Sequence, residues 1–86
     1  MTPDHEPSFR ELAILRAVAA GRVEITCSSE PDLFIDGLPC CDQYTAHALA
    51  RRALVVQARP GSIGQRVPAR LTGAGGLAAG IAGEAA

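Results

Sequence analysis

The chain has no tryptophan and no lysine, and its aromatic side chains stop at Phe9, Phe34 and Tyr44. Aromatic residues are the bulkiest core and interface anchors, so a core here must be assembled from Ala, Val, Leu and Ile. No apolar run approaches the roughly 20 residues that span a bilayer. The stretch before Pro7 carries acids rather than a basic segment followed by an apolar one, which is not how a secretory signal peptide is built. A cytoplasmic protein without membrane contact is the expectation. Cysteine is scarce and odd in number, Cys27, Cys40 and Cys41, which argues against a disulfide framework. A length of 86 residues leaves room for one domain with a small core.

Acid is also missing from one long stretch. Eight of the nine carboxylates lie between Asp4 and Asp42, and none occurs from Gln43 to Gly83. That stretch carries Arg51, Arg52, Arg59, Arg66 and Arg70. Net charge is −1, so the whole chain is not a strong polyanion binder. The uneven distribution instead predicts an electropositive face on a near-neutral protein.

Local patterns divide the chain into a flexible polar leader at 1–7, a single domain at 8–80 and a flexible Ala/Gly tail at 81–86. Ser8-Phe9-Arg10-Glu11 has the form of a capping box and predicts a helix over 9–20, with Leu12, Leu15, Val18 and Ala19 inward, Ile14 beside them and Gly21 at its end. Arg22 to Thr26 alternates polar and apolar as a half-buried strand does, and Leu33-Phe34-Ile35 is a second β run closed by the turn pair Asp36-Gly37. Leu38 to Cys41 reads as a connector. Asp42 is a good N-cap for a helix to about Ala53, with Thr45 or Ala46, Leu49, Ala50 and Ala53 inward and Gln43, His47 and Arg51 on the opposite face. Leu54 to Ala58 predicts a third strand, and Gln65 to Leu71 a fourth with Val67, Ala69 and Leu71 inward. Pro68 cannot donate to a ladder, which places that strand at a sheet edge. Thr72 is positioned to cap a short, glycine-weakened last helix.

The segment Leu71-Thr72-Gly73-Ala74-Gly75 matches an LTxAG element, and Arg52-Ala53-Leu54-Val55 stands where such chains have a Gly-Leu-Val turn. On these residues the chain resembles small winged helix-turn-helix DNA-binding proteins of the actinobacterial type, over roughly 9–80 and most sharply over 49–75. The resemblance implies an α+β, winged-helix-like fold in the order helix, hairpin, helix, hairpin (the wing), short helix. It departs from that family at 22–41, which reads as strands where a second helix belongs. It further implies sequence-specific or architectural binding of double-stranded DNA in transcriptional regulation, better as a homodimer than as a monomer. Helix 42–53 then resembles the recognition helix, with Gln43, Tyr44, His47, Arg51 and Arg52 as contacts. Arg59 and Arg66 flank the wing, and Arg70 adds a phosphate contact. Gln and Arg can read base edges bidentately, whereas Tyr and His more often meet phosphates.

A reading from another class is a small protein-interaction module that docks a partner on its acidic half or on a sheet edge near Pro68. Cys27, Cys40, Cys41 and His47 have the composition of a Cys₃His zinc site, but the cysteines lack CxxC spacing. They are expected to be buried small hydrophobes, with a redox-sensing thiol at Cys40 or Cys41 as the alternative. No cofactor is implied. Cys41 and His47 lie six residues apart across a helix start, a poor nucleophile–base pair, so no enzyme is expected.

Overall fold

The computed structural model describes residues 8–80; the expected leader at 1–7 and tail at 81–86 lie outside them. Eight elements follow in order: α1 (Phe9–Ala19), β1 (Val23–Thr26), β2 (Leu33–Ile35), β3 (Leu38–Pro39), α2 (Gln43–Arg51), β4 (Val55–Gln57), β5 (Arg66–Leu71) and α3 (Gly73–Ala78). The strands form one antiparallel sheet in the order β3-β2-β1-β5-β4. The architecture is α+β, with three helices among the described residues. The segment 22–41 holds strands and turns and no helix.

Each helix begins as its local chemistry dictates. The Glu11 amide donates to Ser8 Oγ (3.1 Å) and the Ser8 amide donates to Glu11 Oε1 (2.7 Å), a reciprocal capping box. Asp42 accepts the Thr45 amide at α2, and Thr72 accepts the Gly75 amide at α3. Helices α1 and α2 end alike. Arg22 N–H reaches the Ala17 carbonyl and Leu54 N–H the Leu49 carbonyl, both in Schellman closures. The left-handed residue of that closure is Gly21 after α1 but Ala53 (φ 57°) after α2, where a Cβ costs roughly 1–2 kcal/mol. Ala53 is therefore exposed at the helix end and not in the inward stripe, which is carried by Ala46 and Leu49.

Leu15, Ile25, Leu33, Leu49, Val55 and Val67 are fully buried and belong to a single core. In α1 the buried set is Ile14, Leu15, Ala17 and Val18; Leu12 is half-buried and Ala19 exposed. The apolar stripe is thus turned from its expected position, because α1 packs against α2, α3 and β5 together. Strand β5 alternates as its sequence implies, with Val67 and Ala69 buried and Arg66, Pro68 and Arg70 exposed.

Two strand placements also differ from the sequence pattern. Leu38-Pro39 is not a plain connector but a short strand paired with β2 across the Asp36-Gly37 turn. Pro68 does not sit in an edge strand: β5 lies between β1 and β4. Its carbonyl accepts the Ala58 amide (2.8 Å), one residue beyond the end of β4. Ala58 and Pro68 are opposite residues of this register, so the Pro68 nitrogen faces the Ala58 carbonyl and its missing donor costs only the one reciprocal bond at the end of the ladder, past the last β4 residue. The sheet edges are β3 and β4 instead.

Two carboxylates on this scaffold are held below their ordinary range, Asp36 by its hydrogen bonds from the Arg22 guanidinium and Asp42 by the start of α2. Asp42 is held below the usual carboxylate value by the Thr45 hydroxyl (2.6 Å), then by the Thr45 amide and Arg10. A depressed native value stabilises the fold above the unfolded value of about 3.9, and that contribution is lost as pH falls through the native one. Asp42→Ala is expected to lower the melting temperature at pH 7, with the gap to wild type closing in acid. Thermal melts monitored by circular dichroism between pH 7 and pH 2 check this.

Candidate nucleic-acid interface

The residues singled out for DNA contact separate into two groups on opposite sides of the sheet. The helices pack on the face that carries Ile25, Val55 and Val67, whereas Arg66 and Arg70 project from the other face.

On the helix side, the face of α2 expected to meet solvent is engaged within the fold. Gln43, His47 and Arg51, spaced four apart, meet successive points of the segment that enters β2. The Gln43 amide nitrogen donates to the Cys40 carbonyl (2.7 Å) and the Leu33 carbonyl (3.2 Å), and its oxygen accepts the Leu33 amide (3.3 Å). Both amide hydrogens and one acceptor position of this side chain are used by backbone, so Gln43 anchors α2 to β2 and has no donor left for a base edge. His47 Nε2 lies 2.8 Å from Asp32 Oδ1 and is half-buried. Arg51 stands 3.8 Å from Glu30, and Arg52 bonds Glu11 of α1 at 3.0 Å. Of the five α2 candidates only Tyr44 stands clear, 80% exposed.

The hairpin side is different. From Ala58 to Arg66 every residue is exposed, and the loop is braced by Gly64 N–H to the Cys27 carbonyl and Cys27 N–H to the Gln65 carbonyl (both 2.9 Å). Arg59 and Arg70 have no carboxylate partner among the described residues. Arg66 lies over the Phe34 ring (4.3 Å to its centroid) and 3.8 Å from Glu24. Exposed pairs of this length contribute little, so Arg66 and Arg51 are free to exchange their carboxylates for a phosphate, whereas Arg52 is held more tightly.

The acids that neutralise α2, namely Glu11, Glu30 and Asp32, carried no signal in the sequence. The acidic and basic halves fold onto one another, and the positive face implied by the linear charge distribution survives only on the hairpin. Cys27 and Cys40 are buried, as expected of small hydrophobes, but Cys41 is exposed. Among the described residues no three metal-ligating side chains gather into a group, and no helix is long and apolar enough to cross a membrane.

A cleft of about 440 Å³ opens between α2, the loop after β1 and strand β4, with Ile25, Ala50 and Val55 among its apolar lining. No protein-family model, curated protein or solved structure matches the chain.

Proposed function

We propose that this protein binds double-stranded DNA, with the β4–β5 hairpin as the contacting element. The observation that carries the reading is an exposed, acid-free hairpin bearing Arg59, Arg66 and Arg70, two of them without a carboxylate partner among the described residues. Arg66 and Arg70 share one face of β5 four residues apart. At about 3.3 Å per residue that is roughly 13 Å, close to the ~12 Å width of a major groove and so suited to phosphates on its two rims. Contacts of this kind position the protein and carry no sequence information by themselves.

The finer fold assignment belongs to the same proposal. Helix α1 leads into β1, α2 leads into β4, and β1-β5-β4 are neighbours, which is compatible with a winged helix in which β2–β3 replaces the second helix. In that layout α2 buttresses the wing rather than reading the major groove. Arg51 and Tyr44 remain its available contacts, and a homodimer would bring two wings to one duplex.

Arg59→Ala combined with Arg70→Ala is expected to weaken duplex binding and to reduce the slope of log affinity against log salt by about 2. Fluorescence anisotropy of a labelled duplex at several salt concentrations measures both. An unchanged slope removes the hairpin from the interface. A second reading, a protein-interaction module, is favoured by Phe9, Leu38, Ile63 and Leu77, all largely exposed; it gains ground if the wild-type chain binds no duplex.

A further inference from the structure

The tip of the β4–β5 hairpin presents a large apolar side chain to solvent and holds it in place. Ile63 is 94% exposed. It occupies the first corner of a type II turn, closed by the Gln65 amide donating to the Ser62 carbonyl (2.9 Å), with Gly64 at φ 84° in the second corner. The Gln65 side chain closes the same loop by accepting the Ser62 amide (2.8 Å). Gly64 N–H ties the turn to the Cys27 carbonyl at the end of β1. Gly61 packs so closely that a Cβ there would stand 2.8 Å from Gln65 Oε1 and 2.9 Å from Cys27 Sγ. A loose loop would turn an isoleucine back onto the protein, whereas a loop with these bonds keeps it pointing outward.

We infer that Ile63 is a wedge that enters a base-pair step of duplex DNA from the minor groove and bends the duplex. The inference rests on the hairpin reading above and adds to it a deformation of the ligand. Gly61, Ser62, Gly64 and Gln65 beside Ile63 offer no apolar surface, so the tip lacks the apolar centre of a protein interface. One side chain is also too little for a membrane surface. An apolar side chain inserted between neighbouring bases needs no patch around it, because the bases themselves enclose it. The charge agrees with a polyanion: the only charged groups from Ala58 to Arg66 are Arg59 and Arg66, one on each side of the tip. The phosphates assigned to Arg66 separate the major groove from the minor, so the tip, which continues past Arg66, lies over the adjoining minor groove. Insertion is easiest at flexible pyrimidine–purine steps. The wedge therefore supplies a sequence preference that phosphate contacts alone do not carry.

The test uses two duplexes of one composition, labelled at both ends for energy transfer, one with a central TA step and the other with AT. The full chain is expected to bend the TA duplex by about 20–90°, which raises the transfer, and to bind it about tenfold more tightly than the AT duplex. Ile63→Ala should abolish both the bend and the preference. Its slope of log affinity against log salt should match wild type, because no phosphate contact is lost. Ile63→Met, which keeps a long apolar side chain, should retain the bend. The side chain is exposed, so both variants should melt with the wild-type protein. Salt-dependent binding that leaves the duplex straight, or a bend that survives in Ile63→Ala, overturns the wedge while the hairpin reading stands. No duplex binding by wild type overturns both. A wild-type dimer that Ile63→Ala dissociates overturns the wedge by assigning the tip to a second copy.

Discussion

Gly75→Ala is expected to destabilise the protein by about 2–3 kcal/mol, although it replaces a helical glycine with the best helix former. Gly75 is buried in α3, and a Cβ there would run into the Leu54 carbonyl, with the Leu54 carbonyl carbon at 3.0 Å and its Cα at 3.3 Å. These are backbone atoms at the start of β4. They cannot rotate aside, so either α3 lifts from the sheet or the α2–β4 corner moves. The same corner receives the Thr72 hydroxyl on the Ala53 carbonyl (2.7 Å) and the Thr72 amide on the Leu54 carbonyl (3.1 Å). The Leu-Thr-x-Ala-Gly segment is therefore a clasp: threonine caps α3 and grips the turn, and glycine allows the backbones to touch. Gly73→Ala is the control. Nothing lies within 4 Å of its Cβ position, and removing a flexible residue there should stabilise by up to about 1 kcal/mol. Opposite shifts in melting temperature from two Gly→Ala changes in one short helix would establish the clasp. Equal shifts would refute it.

Leu49→Ala should have the larger effect, about 3–4 kcal/mol for a fully buried leucine. Leu49 is 0% exposed and is one of only two side chains that α2 buries completely, the other being Ala46. A domain of this size has about 5–10 kcal/mol in total, and each kcal/mol moves the midpoint by about 4–8 °C. The melt should therefore fall by about 15–30 °C, leaving a measurable unfolded fraction at room temperature. Leu49→Met, which conserves volume, should cost less than about 1.5 kcal/mol.

What could be read in advance follows the range of each interaction. The capping box at Ser8 and Glu11, the caps at Asp42 and Thr72, the turn at Asp36-Gly37 and the alternation of β5 are settled within a few residues, and the structure has each of them. The position of Pro68 inside the sheet is not legible from its own strand, because sheet position depends on which strands pair; the end of β4 decides how much its missing donor matters. The same limit governed the interface. Gln43, His47 and Arg51 make a polar helical face in isolation, and only the tertiary placement of Leu33, Asp32 and Glu30 turns that face inward. Arg52 and Glu11 are 41 residues apart in the chain and bonded in space. A charge asymmetry along a sequence becomes a charged surface only where folding leaves its partners behind, and here that is the hairpin.

The central claim, a duplex contact made by a few hairpin arginines, is tested most directly by a salt titration of wild-type affinity for a labelled duplex. Contacts from Arg59, Arg66 and Arg70 predict a straight line in log affinity against log salt with a slope of about −2 to −3, near −0.9 for each phosphate neutralised. A slope near zero, or no binding at low salt, would contradict it.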